Sequence, residues 1–363
     1  MLIVNSTQHR LASQLHVHVD ASLLDEALQT GIAELLVRMG IPVSSESDLM
    51  ESLEGMLGHE RAMDVLQAAA MNYFIPQALT QCNIVPLVSP LPHTDQDVVA
   101  HADFDFAVDV YPKPAIALSS YERAQVHIHP MQETTDADID AQIHMLINVS
   151  NATRGENDPE AELTDEWVKQ VYAEDGMNSV DDLRQAMRAA SEQYNHDAFE
   201  ESQQNAMLHE WASRLETPVA DEIVEALTHE MLSAAEMSLT QQGVTLEQYL
   251  DSMQTTQDMF TAQMAEEARE TLSTSIAMDA IFAHMGTEVT DEVLERVASV
   301  TEPEKDPQDT LAQYKADGRF YSLLENAQRT SAVVWAYDNT DFEICQDSDC
   351  DCGGCGCGCG CEC

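Results

Sequence analysis

From Leu163 to about Phe342 the chain carries helix signals almost without a break, and this run limits what it can fold into. TDEWVKQVY opens with a capping Thr, and residues 180–215 read as one long amphipathic helix with heavily charged faces. Pro218, after Thr217, is placed just inside the start of the next helix, which runs to about Gln242 and is stopped by Gly243. TLEQYLDSM begins with another cap. Over 258–285, Phe260, Met264, Ala268, Leu272 and Ile276 recur every four residues and define one helix face. TDEVLERVASV, the Pro-flanked EPEKDP and residues 306–337 complete an all-helical domain. Aromatic residues are only 6% of the chain, so its core rests on aliphatic side chains, Met and Ala.

The first residues follow another rule. SQLHVHV (13–19) and ADFDFAVDVY (102–111) alternate apolar with polar, as half-buried strands do, and Phe104, Phe106, Val108 and Val110 share one face. Between them lie three helices, from Leu23 to near Gly40, over about Asp48–Leu57 and over about Glu60–Leu79, and then the Pro-rich extended stretch IVPLVSPLPH. Beyond Tyr111 come a Pro-punctuated segment, a short strand at Gln125–His129, a capped helix in TTDADIDAQIHMLINVS and the polar hinge NATRGENDPEAE. The expected organisation is an α+β N-terminal domain (1–112), a linker with one helix (113–162), a mostly α-helical C-terminal domain (163–343) and a disordered Cys/Gly-rich tail (344–363).

The formal charge of -49 comes from 65 acidic residues against 16 basic ones. Such a surface repels phosphate, which argues against direct nucleic-acid or anionic-membrane binding. It fits attraction to basic partners, and equally a salty cytoplasm or plain solubility. No signal-peptide pattern or membrane-length apolar stretch is present, so a cytoplasmic protein is expected. Eight of nine Cys fall within Cys345–Cys363, unlike a disulfide framework that staples a whole fold. No Walker-type phosphate loop and no catalytic Ser/His/Asp or Cys/His arrangement is found.

Several segments, in order and spacing, resemble trigger factor, the bacterial ribosome-associated chaperone. They are LHVHVDASLLDEALQTGIAELL, LGHERAMDVLQAAAMNYFIPQAL, ADFDFAVDVYPKPAIALSSYERAQVHIH with TDADIDAQI, ELTDEWVKQV, Leu215–Pro218, QQGVTLEQYLDSM and DPQDTLAQYKADGRFYSLLENAQRTSAVVW. The resemblance covers nearly all of residues 1–343. It implies a helical cradle that holds unfolded or newly made polypeptides without ATP, no required cofactor, and homodimerisation through the cradle as an open option. Two departures stand out. The family carries a prolyl isomerase domain after the linker helix, whereas here Ser150–Glu162 joins linker to C-terminal domain directly, so isomerase activity is not expected. The family docks on the ribosome through a basic Gly-Phe-Arg-x-Gly-Lys loop. The matching stretch here, Val43, Ser44, Ser45, Glu46, Ser47 and Asp48, has the opposite sign, so docking by the family mode is not expected either.

Met is flexible and polarizable and suits adaptable binding surfaces. The helical domain holds Met231, Met237, Met253, Met259, Met264, Met278 and Met285. Met231, Met264, Met278 and Phe282 are the client-contact candidates, with core packing the competing reading for each. In the tail, Cys350, Cys352, Cys355, Cys357, Cys359, Cys361 and Cys363 alternate mostly with Gly. Several thiolates on so permissive a backbone can close on one soft ion, Zn²⁺ or Cu(I); a redox-active thiol cluster and a neutral tail are the alternatives. This tail motivates a second functional reading, a metal-handling or metalloprotein-maturation factor. His16-x-His18 and His127-x-His129 would add a metal site only if their strands pair; otherwise they are the polar sides of sheets.

Overall fold

Alternation decides the first sheet. In the computed structural model, which describes residues 1–38, 49–99, 101–152 and 161–345, four antiparallel strands lie in the order β1 (Leu2–His9), β2 (Ala12–Val19), β4 (Phe104–Val110), β3 (Leu91–His93). Leu15, Val17 and Val19 of β2 and Phe104, Phe106, Val108 and Val110 of β4 are buried on one face. Over them lie Leu24 and Leu28 of α1 (Ala21–Arg38), Leu53 of α2 (Leu49–Leu57), and Leu66, Ala70 and Phe74 of α3 (His59–Cys82). Burying each large apolar side chain here contributes roughly 1.5–3 kcal/mol relative to leaving it in water. α3 ends where Asn83 turns left-handed (φ 53) and its N–H reaches the carbonyls of Leu79 and Thr80.

The structure adds a strand that the sequence reading lacks. β1 is half polar (Asn5 to His9) and pairs with β2 across a two-residue turn in which Arg10 has φ 48. A turn built without Gly, Asn or Asp gives no hairpin signal. A second addition is β6 (Thr340–Ile344), where helix was expected to continue to Phe342; it pairs in parallel with β5 (Ala124–Ile128). Pro218 lies three residues before the next helix, α7 (Asp221–Gln241), whose N-cap is Ala220, so the helix starts later than expected.

Two compact units result: Met1–Tyr121 with Trp211–Ala336, and Glu122–Glu210 with Tyr337 onward. They cut across the linear segments 113–162 and 163–343, because the β5–β6 pairing ties the linker to the end of the described chain. The first unit holds the sheet module, α7, α8 (Leu246–Ser252), α9 (Gln257–Met285), α10 (Asp291–Thr301), α11 (Pro307–Ala316) and most of α12 (Phe320–Asp338). The second holds β5, α4 (Asp136–Ala152), α5 (Asp165–Val171), most of α6 (Val180–Ser213) and β6. Its helices gather around Trp167, Val168 and Leu183, and its ribbon covers Ala206 with Val126 and Ile128.

Candidate functional site

Caps set the outline of a long helical hairpin. α7 runs out to Gln242 and Gly243 (φ 74). α8 opens with a capping box, Thr245 bonding the N–H of Gln248 while the Gln248 side chain accepts from the Thr245 N–H. Thr256, accepting from the Met259 N–H, then starts α9. The hairpin is antiparallel: Ile223 and Val224 at the start of α7 pack with Ala268, Leu272 and Ile276 in the later part of α9, and Arg269 pairs with Asp221 at 2.9 Å.

The hairpin's root is seated on the sheet module. Leu87, Val88, Tyr111 and Ile116 join the apolar cluster of Val219, Ile223, Val224 and Ile276. Ser89 Oγ donates to Glu230 at 2.5 Å, and the Tyr111 hydroxyl to Glu222 at 3.3 Å. Burial, with Glu222 second, pushes the Tyr111 phenol above its ordinary pKa. A four-charge cluster fastens the seat. Lys113 Nζ is 2.9 Å from Asp279 and 2.7 Å from Glu325, and Arg329 reaches Asp279 at 3.1 Å and Glu325 at 2.8 Å. Each of the two cations meets both carboxylates, so the desolvation cost of this mostly buried cluster is offset by two opposite partners per ion. Nearby on the same helix, His284 stacks on Tyr121 at 3.9 Å between ring centroids and meets Trp335 edge-on. A further contact joins α3 to the turn before α12, where Thr80 Oγ1 donates to the Gly318 carbonyl at 2.7 Å.

With the root fixed, the far half of the hairpin presents side chains to solvent. Met237, Met253 and Met259 are 63%, 59% and 65% exposed. From Leu215 to Ala268 the sequence contains no Lys or Arg, and Glu236, Glu247, Asp251 and Asp258 are carried by the same turns. Among the residues singled out from sequence, Met231 and Met264 are half-buried on α7 and α9, Phe282 is half-buried near the end of α9, and Met278 is buried at 2% exposure and packs the interior. Met259 sits one position off the buried row of α9, and this offset marks it in the sequence as outward-facing.

The other predicted positions fall elsewhere. Val43 to Asp48 and the cysteines from Cys350 to Cys363 lie outside the described residues, as do residues 153–160 of the hinge. His16 and His18 stand on the outer face of the four-stranded sheet, whereas His127 belongs to the β5–β6 ribbon; the two strands do not pair, so the two His pairs do not combine. His18 bonds Asp105 instead, at 2.9 Å, and this bond raises its pKa above the ordinary imidazole value. No three His, Cys, Asp or Glu side chains among the described residues converge as metal ligands. None of the described helices is long and apolar enough to cross a membrane.

A small α+β module that seats a helical hairpin, joined to a second, mostly helical unit, defines a modular, mostly helical protein. The family model for the trigger factor C-terminus matches residues 179–336, and the companion bacterial trigger factor model matches residues 49–146. This chain belongs to the trigger factor family. Only residues 147–178 separate the two matched segments, too few for an intervening isomerase domain. The trigger factor of Bacillus cytotoxicus is 27% identical over 180 residues, 49% of this chain and 41% of that protein. The Syntrophomonas wolfei trigger factor is 26% identical over 133 residues, 37% of this chain and 30% of its own length. The chain thus matches well under half the length of these relatives. A solved structure described as "Promiscuous Substrate Recognition in Folding and Assembly Activities of the Trigger Factor Chaperone" aligns with 93% of this chain and all of its own, at 15% identity and a TM-score of 0.36.

Proposed function

We propose that this protein is an ATP-independent holdase of the cytosol that binds unfolded or newly made polypeptides and assists their folding. The observation that carries the reading is the exposure of Met237, Met253 and Met259 on an acidic hairpin whose root is fixed to the sheet module. Thioether side chains adapt to many apolar partners, and the acidic surroundings keep the exposed patch soluble. Family membership supports the same role. Met231, Met264 and Phe282, half-buried on the same helices, extend the contact in this reading, whereas the buried Met278 takes no part in it.

The test is suppression of aggregation of a chemically unfolded client, without nucleotide. The wild-type chain suppresses aggregation, and a Met237→Gln/Met253→Gln/Met259→Gln variant with unchanged circular dichroism loses most of that effect. Equal suppression by both would remove the hairpin from the mechanism. Ribosome docking by the family loop is absent in this reading, because Glu46 and Asp48 stand where cations are needed. Cosedimentation of the wild-type chain with ribosomes would contradict that, as catalysis of a proline-limited refolding step would contradict the absence of isomerase activity.

A second reading concerns the tail. Its alternating cysteines, Cys350 to Cys363, chelate a soft metal ion in this reading, which makes the protein a metal-handling or metalloprotein-maturation factor and rests on their spacing in the sequence.

A further inference from the structure

The four-stranded sheet ends in two unlike edges. β3 is three residues long with Pro92 at its centre, and both features keep a further strand from pairing there. β1 is eight residues long and pairs with β2 from Leu2 to His9 without a bulge. It contains no Pro, and from Leu2 to Gln8 it has no Asp, Glu, Lys or Arg, in a chain whose formal charge is -49. Edge strands of soluble proteins are ordinarily guarded by charge, Pro, a bulge or shortness, because their unpaired backbone groups are a template for another strand. β1 has none of these guards.

The pairing also shows which groups are open. In an antiparallel ladder, alternate residues direct their N–H and C=O toward one neighbour, and the rest direct theirs to the other side. The Asp20 N–H donates to the Met1 carbonyl at 3.2 Å, so the odd-numbered residues of β1 face β2. The N–H and C=O of Leu2, Val4, Ser6 and Gln8 therefore point away from the sheet, and among the described residues nothing bonds them. The side chains of the same four residues lie on the inner face, opposite Val19, Val17, Leu15 and Ser13, and Leu2 and Val4 are half-buried against the core.

We propose that β1 is a dimerisation edge, to which a second copy of this chain adds its own β1, antiparallel, about a two-fold axis through Asn5. With the axis there, Leu2 faces Gln8 of the other copy, Val4 faces Ser6 and Asn5 faces Asn5. Like faces stay together, so the inner side of one sheet continues into the inner side of the other. Each facing pair of even-numbered residues exchanges two bonds, about eight in all, and every outward group is satisfied. Moving the axis to another residue leaves some of them unpaired. The result is one continuous eight-stranded sheet whose two ends are both β3, the guarded edge, so assembly closes at two copies. Charge favours this place too: two copies of so acidic a chain repel, and β1 lets them meet along a strand that carries no carboxylate. An interface of one strand per copy is small, which sets the dimer in the roughly micromolar range.

Sedimentation velocity of the full chain over a concentration series tests this. The wild type is expected to dimerise, and about tenfold more tightly at about 1 M salt than at about 0.1 M, because salt screens the repulsion and leaves the backbone bonds in place. Ser6→Pro removes an outward N–H and puts a ring where the partner strand would lie. It is expected to be monomeric at the same concentrations, with unchanged circular dichroism. Asn5→Cys reads the register: facing Cα atoms in a non-hydrogen-bonded pair are about 4.5 Å apart, within disulfide reach. Mild oxidation should join position 5 to position 5 of the second copy, identified as a linked peptide by mass spectrometry. Thr7→Cys, about 14 Å from its counterpart in this register, should not link. A wild type that stays monomeric at both salt concentrations, a dimer that Ser6→Pro leaves intact, or linkage at position 7 in place of position 5 would each overturn the proposal. A monomeric wild type whose suppression of client aggregation is lost in Ser6→Pro would overturn it as well and assign the edge to unfolded clients.

Discussion

Gly318 shows how one residue can hold two elements together. Its φ is +82, and an added Cβ would sit 2.9 Å from the backbone N and Cα of Gln77 on α3. The strain and the clash cannot both be relieved without moving α3 away, which would also break the Thr80 bond to the Gly318 carbonyl. Gly243 has a similar φ of +74 but open space around it. Gly243→Ala is therefore expected to cost about 1 kcal/mol, and Gly318→Ala roughly 2–4 kcal/mol, from strain plus overpacking. Thermal melts of both variants would check the ranking, and equal shifts would mean that the α3 contact adjusts freely. His18 offers a pH test on the same module. Its raised pKa comes first from the Asp105 hydrogen bond. Stability from this pair is complete below the ordinary imidazole pKa and is lost as pH rises through the folded value. The carboxyl of Asp25 has the opposite sign: the His101 N–H lowers its pKa, so its contribution holds above the ordinary carboxylate range and fades as pH falls through the folded value. An NMR titration should find His18 above the ordinary imidazole value, returning toward it in Asp105→Asn. An unchanged His18 in that variant would remove Asp105 as the cause.

At the scale of elements, the seat of the hairpin is the joint to probe. Lys113 comes from the segment after β4, Asp279 from α9, and Glu325 and Arg329 from α12. Asp279→Ala leaves two cations sharing one carboxylate, and about 1–3 kcal/mol of stability should go with it. The double variant Lys113→Met/Asp279→Leu keeps the apolar volume and leaves Arg329 paired with Glu325, so it should lose less than the two single changes summed. Additive losses in a double-mutant cycle would mean that the four charges act independently. The elements themselves were largely legible in the sequence. The alternation of Phe104 to Val110, the Thr245 cap with Gln248 three residues on, and the four-residue spacing from Phe260 to Ile276 each have a local cause and appear where expected. β1 and β6 were not legible. Arg10 gives no turn signal, and Thr340–Ile344 is a strand only because Ala124–Ile128, more than two hundred residues away, supplies its partner. The hairpin's outward methionines were half legible: their residue type was conspicuous, but burial had to separate Met259 from Met278.

At the scale of the whole molecule, the charge of -49 has two readings, and kinetics separates them. If the charge only keeps a protein with exposed Met soluble, clients of either sign should bind the hairpin at similar rates. If it also selects clients, the uninterrupted acidity from Leu215 to Ala268 acts as a steering field around the Met patch. Such a field reaches about 10 Å at 0.1 M salt and about 3 Å at 1 M, while burial of apolar surface is hardly weakened over that range. Steering therefore predicts that a basic unfolded client associates at least tenfold faster than an acidic one of equal hydropathy at low salt, and that the two rates converge toward 1 M. Dissociation rates should change far less, because thioether contacts set them. Stopped-flow association with two such clients across a salt series measures both. The Met237→Gln/Met253→Gln/Met259→Gln variant should keep the salt dependence of association and lose the slow dissociation. If acidic and basic clients associate equally at every salt concentration, the charge serves solubility alone and the hairpin chooses its clients by apolar surface.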